Sequence, residues 1–297
     1  MTRLVGLYRE QEYSPGPHRS NDRILLDRVA DQLRGRRFHV ETTTIDKVDG
    51  SARSAALVFS MCQGRAALDL LDRLAQEGMG VINTPLGSLN TYRERLTALL
   101  RAAGIRFPPT WIVSTGRDQR ADVDLDGGLW VKRGDVHAAV RADVQWVDSA
   151  GGLQQALGEF ADRGIGQVAL QRHQEGTEVK FYAVAGRRFF HWLYASSGGP
   201  DAALPARPRT ESRTVEFDVG ALQQIAEEAA AALGLEVFGG DAIVGPTGEL
   251  TLIDLNDWPS FAPCRERASA AIAAHIARRV DASWNPGLVS SANESAV

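Results

Sequence analysis

Two carboxylates and one carboxamide near the C-terminal end of the chain stand where they could share a cation. Asp241, Asp254 and Asn256 lie within FGGDAIVGPTGELTLIDLNDWPSF, residues 238–261. The apolar runs DAIV and ELTLIDL flank Gly245-Pro246-Thr247-Gly248, the punctuation of a β-hairpin. If Gly245 pairs with Gly248, Asp241 pairs with Leu252. Side chains alternate along a strand, so Leu252, Asp254 and Asn256 share a face, and Asp241 lies on it, diagonal to Asp254. Acids are depleted in strands, yet Asp254 interrupts an apolar run. Hard oxygen donors of this kind suit Mg²⁺, which keeps some waters and completes its shell with substrate phosphates.

Cationic residues accompany this set. Lys132 follows Leu129-Trp130-Val131 and precedes Arg133-Gly134. A lysine inside a strand is either an edge residue with a snorkelling stem or a point charge that reaches a phosphate. In EVKFYAV, Glu178, Lys180 and Tyr182 share one strand face, and Val179, Phe181 and Ala183 the other.

The elements that must hold these residues follow from periodicity. Residues 1–83 read as a small α/β unit, with strands LVGLY, FHVETTTI, ALVFSM and MGVINT. Helices SNDRILLDRVADQLRG and AALDLLDRLAQEG separate them, the first with an apolar face at Ile24, Leu25, Val29 and Leu33, a cap at Ser20 or Asn21 and a stop at Gly35. Such alternation implies a mostly parallel sheet. No G-x-G-x-x-G follows the first strand, so a dinucleotide fingerprint is absent. The loop Glu10 to Ser20 follows the C-terminal end of strand one, where open α/β sheets bind ligands; it reads equally as a plain solvent loop. Residues 84–285 form the second domain. SLNTYRERLTALLRAAG reads as one amphipathic helix carrying Arg93 and Arg95. Residues 126–177 form a smaller lobe, with strands GGLWVKRGD, VHAAVRADVQWV and QVALQRH around the helix GGLQQALGEFADRG. DVGALQQIAEEAAAALG and CRERASAAIAAHIARRV are helices; 196–213 is a long Gly/Pro/Ser-rich loop and 286–297 a disordered tail.

With 297 residues, 44% hydrophobic and 24% charged, the chain can bury a full core. A net charge of −4 gives no electrostatic case for nucleic acid or an anionic membrane. No apolar run reaches the ~18 residues of a membrane span, and MTRLVGLYREQEY lacks a signal-peptide core, so a cytoplasmic location is expected. Cys62 and Cys264 make no disulfide framework, and the scattered histidines have no zinc spacing.

The ordered set Lys132, LQRHQEG, EVKFYAV, FGGDAI and LIDLNDWPSF resembles the ATP-grasp superfamily, especially its glutathione-synthetase-like and ribosomal-protein glutamate ligase branches, over about residues 84–275. The resemblance implies an α/β (α+β) fold with an N-terminal parallel α/β domain and two ATP-clamping lobes. It implies ATP and Mg²⁺ as cofactors, as one or two ions, with Mn²⁺ an alternative. Lys132 would contact ATP phosphates, with Lys180 near the γ-phosphate and Arg133 assisting. Backbone groups of Gln171, Arg172 and His173 would read adenine, and Glu175 or Glu178 would take the ribose. Asp241, Asp254 and Asn256 match the metal ligands. Arg93 and Arg95 stand where the family commonly has a lysine, and the loop over the phosphates, Arg133 to Ala138, has a single glycine. Arg93, Arg95, His137 and Arg265 are candidate substrate contacts, Arg265 for a substrate carboxylate.

The activity so implied is an ADP-forming ligase that joins a small-molecule or peptide carboxylate to an amine through an acyl phosphate. The alternatives are an ATP-grasp kinase of the inositol-phosphate type, with His137 and Arg187, Arg188, Arg207, Arg209 and Arg213 as its basic patch, or a non-catalytic nucleotide-binding module. A homo-oligomer is compatible with the sequence, and no nucleic acid or membrane partner is expected.

Overall fold

A computed structural model describes residues 1–14, 16–48, 54–116, 121–138, 140–186, 188–195 and 215–284. The loop 196–213, Arg187, Arg207, Arg209, Arg213 and the tail 286–297 lie outside the described residues. The chain divides into two compact units, Met1–Pro85 with Ser260–Val297, and Leu86–Pro259.

In the first unit, β1 (Arg3–Leu7), β2 (His39–Thr43), β3 (Leu57–Ser60) and β4 (Gly80–Ile82) form a parallel sheet in the order β2-β1-β3-β4. Parallel strands need crossovers, which α1 (Pro17–Gly35) and α2 (Arg65–Gln76) supply. α1 begins at Pro17 and not at Ser20 or Asn21, because proline suits the first turn, where its missing N–H costs nothing. Its buried stripe is Leu25, Leu26, Val29, Ala30 and Leu33, while Ile24 is exposed. α7 (Arg265–Trp284) packs on α1 through a stripe that includes Ala268, Ile272 and Ile276. The last helix, which periodicity alone leaves with the second domain, so belongs to the first unit. Both cysteines are buried and neither is in a disulfide; the Cys62 thiol donates to the Tyr8 carbonyl at 3.5 Å, and burial pushes the Cys264 thiol up to about 12.

The second unit holds two antiparallel sheets. One runs β5-β8-β6-β7, from β5 (Thr110–Ser114), β6 (Leu129–Arg133), β7 (Val144–Val147) and β8 (Gln167–Arg172). The smaller lobe therefore starts with β5, upstream of residue 126. The stretch 136–147 is not one strand: a 3-10 turn at Arg141–Asp143 precedes β7, and the buried Asp143 carboxylate accepts from the Val140 N–H. α5 (Ala150–Asp162) covers one face, and Leu129, Val131, Leu157, Phe160, Val168 and Leu170 fill the core between.

The other sheet runs β10-β9-β11-β12, from β9 (Thr177–Val184), β10 (Phe189–Tyr194), β11 (Val237–Val244) and β12 (Leu250–Asp257). Its core face packs on α6 (Val219–Leu233) and α4 (Arg93–Ala102). α6 is bounded as its residues dictate: the Asp218 carboxylate accepts from the Gly220 and Ala221 N–H groups, and Gly234 closes it at φ +78°. The helix expected over residues 88–104 is two helices, α3 (Pro85–Asn90) and α4, parted at Thr91-Tyr92. Asn90 holds the break, donating to the Leu233 carbonyl and accepting from Arg95 Nε at 3.0 Å each. Thr91 adds a local alternative to a continuous helix, its hydroxyl donating to the Ser88 carbonyl at 2.7 Å.

Gly240 sits on central strand β11, where a Cβ would stand 2.5 Å from the Asp254 carbonyl oxygen and 2.6 Å from the Phe181 ring. Gly240→Ala is expected to destabilise the protein by about 1–3 kcal/mol through overpacking. The check is a urea midpoint that falls at constant slope; an unchanged midpoint would show that the strands part freely here.

Candidate active site

On β9 the buried Val179, Phe181 and Ala183 enter the core, which leaves Glu178, Lys180 and Tyr182 on the opposite face. Lys180 stands opposite Asp241 of β11, and its Nζ donates to Asp241 Oδ1 at 2.9 Å. Glu178 Oε1 lies 3.6 Å from the same nitrogen.

The hairpin carries the carboxylates in a register different from the one expected. Gly245 N–H donates to the Glu249 carbonyl, and Val244 pairs with Leu250, so the turn is one residue longer. The Glu249 carboxylate supports that turn by accepting from the Thr247 N–H and hydroxyl. Further along, Ala242 pairs with Leu252 but Asp241 with Asp254, which leaves Ile253 as a β-bulge. Two corrections follow. Asp241 and Asp254 are directly opposite, not diagonal. Leu252 does not share their face: it lies in the core with Leu255, while Asp254 and Asn256 stand on the other side. Strict alternation fails at the bulge because Ile253 and Asp254 together fill the interval between two core leucines.

The bulge frees a carbonyl that reaches the other sheet. On β6, Leu129 and Val131 enter the core of the smaller lobe, so Trp130 and Lys132 face away from it, beside Gln171 of β8. Lys132 Nζ donates to Gln171 Oε1 at 2.7 Å and to the Ile253 carbonyl at 3.4 Å, and Gln171 Nε2 donates to that carbonyl at 3.2 Å. Lys132 is only 7% exposed. Burial drives its pKa down to about 8; the Asp254 charge works against that shift, and the Arg93 charge adds to it.

Arg93, in the first turn of α4, bridges the same two sheets. It is 5% exposed, forms an ion pair with Asp254, and donates through Nη1 to the Arg133 carbonyl at 3.1 Å. The break between α3 and α4 is what aims it there. The two carboxyls are pushed apart in acidity. Burial raises the Asp241 pKa, and Lys180 only partly opposes it. Burial acts the same way on Asp254, but Arg93, Lys132 and His137 outweigh it and hold that carboxyl below the ordinary range.

His137 Nε2 lies 3.2 Å from the Asp257 carbonyl, near Asp254. Trp130 Nε1 donates to His173 Nδ1 at 3.2 Å, and Trp146 meets both rings edge-on, so an aromatic group adjoins Lys132 on its face of the sheet. The Arg172 guanidinium turns away, to Asp124 and the Asp126 carbonyl. Arg133 alternates with Lys132 and is held by Asp135 and Asp143. Glu175 is exposed in the turn before β9, whereas Glu178 faces the cluster. Arg95 is exposed and bonds Asn90. Arg265 lies in the first unit, where it donates to Asn21 Oδ1 at 2.9 Å.

No family model and no curated protein sequence matches this chain. Solved structures do. D-alanyl-alanine synthetase A from Vibrio cholerae superposes with a TM-score of 0.69 at 14% identity, covering 94% of this chain and 97% of that one. The D-alanine-D-alanine ligase from Coxiella burnetii gives 0.68 at 14% identity, with 99% of each chain covered. A RimK domain ATP-grasp protein from Sphaerobacter thermophilus gives 0.65 at 15% identity, with 92% and 98% covered. The fold is the ATP-grasp fold. At these identities the likeness is one of fold, and the two antiparallel sheets are its paired lobes. Among the described residues no helix is long and apolar enough to cross a membrane, and no three His, Cys, Asp or Glu side chains gather as a metal site. The hairpin has instead two carboxylates and one amide, Asp241, Asp254 and Asn256. This donor set fits a hard divalent cation: the oxygens share one face, and Asp254 is held ionised.

Reading the strands by strict alternation missed the Ile253 carbonyl, although the three-residue spacing of Leu252 and Leu255 is a sign of a bulge. Reading Arg93 as a substrate contact missed its hold on Asp254, which no local pattern reveals.

Proposed function

We propose that the protein is an ATP-dependent ligase that joins a carboxylate to an amine through an acyl phosphate, with Mg-ATP bound between the two lobes. One observation carries the reading: Lys132 and Gln171 of one sheet bond the Ile253 carbonyl of the other, next to the paired Asp241 and Asp254, so a cation set for phosphates adjoins a cation-binding set of oxygens. The folds it resembles include a D-Ala:D-Ser ligase and D-alanine ligases, and small amino-acid-like or peptide carboxylates and amines are the proposed substrates.

Asp241, Asp254 and Asn256 would hold Mg²⁺, which would supply positive charge to offset that of the nucleotide phosphates. Lys132 places an ammonium at the phosphates from the smaller lobe, oriented by Gln171. Lys180, now on Asp241, offsets charge on the phosphoryl group as it moves to the substrate carboxylate. Backbone groups of Gln171 to His173 take the adenine edge, and Glu178, which faces the cluster, takes the ribose. The amine then attacks the acyl carbon and phosphate leaves. No side-chain nucleophile is needed, because the activated acyl group supplies the driving force.

The test is phosphate release from Mg-ATP with a panel of acids and amines. Release that requires both an acid and an amine supports the ligase. ADP with a phosphorylated alcohol instead identifies a kinase, and tight nucleotide binding with no turnover identifies a binding module.

A further inference from the structure

The acids and bases of the cluster balance one another in number. Glu178, Asp241 and Asp254 are met by Lys180, Lys132 and Arg93. Arg93 is the unusual member. Its guanidinium is buried, sits on the carboxylate offered to the metal, and is tied to the smaller lobe through the Arg133 carbonyl. The α4 backbone adds a second tie, Glu94 N–H to the Gly134 carbonyl at 3.2 Å. Arg93 Nε is buried and has no hydrogen-bond partner among the described residues, so the group keeps a donor in hand.

A divalent ion on an Asp254 oxygen would stand at coordination distance, within a few ångströms of a guanidinium bonded to the same carboxylate. In a buried site that repulsion is poorly screened. A phosphate group changes the balance, since arginine binds phosphate through a planar fork as well as it binds carboxylate. We infer that Arg93 is an internal counter-cation that keeps a divalent metal off Asp254 until nucleotide phosphates draw the guanidinium away, so that metal and nucleotide are taken up together. The inference rests on the nucleotide site proposed above. It makes Arg93 a positioning residue for the metal, acting through Asp254.

Mn²⁺ titration of the full chain, followed by electron paramagnetic resonance with and without ADP, tests it. The wild type is expected to bind Mn²⁺ at least about tenfold more tightly with ADP than without, and ADP to bind more tightly with Mn²⁺ by the same factor. Arg93→Met should tighten Mn²⁺ binding without nucleotide by about tenfold and shrink that coupling; Arg93→Gln, neutral but hydrogen-bonding, should do the same if the Met variant folds poorly. Arg93→Lys should stay weak, and adding Asp254→Asn to Arg93→Met should abolish the gain. A folded Arg93→Met or Arg93→Gln that binds Mn²⁺ no more tightly than wild type overturns the inference, as does a wild type without coupling. Coupling without turnover would keep the inference and remove the ligase reading, turnover without coupling the reverse, and the absence of any Mn²⁺-ADP binding overturns both.

Discussion

Asp254→Asn is expected to lower turnover about a thousandfold, on the order seen when a charge-stabilising group is removed from a reacting centre. The substitution keeps size and one oxygen but removes the negative charge that faces Lys132 and Arg93. It should also destabilise the ligand-free protein by about 3–5 kcal/mol, because it leaves the buried Arg93 without its counter-charge. The two losses separate in a double variant. Arg93→Met with Asp254→Asn should recover most of the stability and none of the turnover, since the unpaired cation is gone but the metal oxygen is not restored. The wild-type pH dependence has a definite sign. Asp254 is held below its ordinary range, so its contribution is complete above about pH 4 and is lost as pH falls through the lower folded value. An Asp254→Asn protein with wild-type turnover would remove the metal assignment. One with wild-type stability would remove the ion-pair argument.

Lys132→Met is expected to lower nucleotide affinity and to reduce turnover by about a hundredfold to a thousandfold, with no loss of stability. In the folded protein burial brings this lysine from 10.5 to about 8. Between those values the unfolded chain holds more of the proton than the folded one, so stability rises with pH across that window and the cost is fully present below about 8. The shift corresponds to a burial cost on the order of 3 kcal/mol, which an apolar side chain of similar length avoids. The ligand-free variant should melt at or above the wild-type temperature at pH 7. For the same reason, wild-type affinity for Mg-ADP should decline as pH climbs past about 8, where an ordinary lysine would still be charged. Calorimetric titrations at pH 7, 8 and 9.5 would check this. Affinity that stays flat to the highest pH would show that the ammonium is not what holds the phosphates.

Much of the frame was legible because it rests on local chemistry. The alternation of apolar runs and helical stripes in residues 1–83 marks a parallel sheet with crossover helices, and β1 to β4 form one. Glu178, Lys180 and Tyr182 share a face because β9 is regular from Thr177 to Val184. Asp218 and Gly234 bound α6 as capping chemistry requires. The misreadings lie where distant groups decide. The helix over 88–104 breaks because Asn90 finds the Leu233 carbonyl. The final helix belongs to the first unit because α1 offers it an apolar stripe.

The chemistry of the hairpin was written in its residue types: which oxygens it carries, that a turn joins its strands, and that two lysines accompany it. Those properties reside in residue types and in a period of two. The tertiary structure alone decided how the oxygens meet. A turn one residue longer and a bulge at Ile253 bring Asp241 opposite Asp254 and turn a backbone carbonyl toward Lys132 and Gln171. Arg93 reaches Asp254 from 161 residues away. Pairing register and long-range ion pairs are set by which buried groups must satisfy one another, a condition that exists only once the sheets have packed.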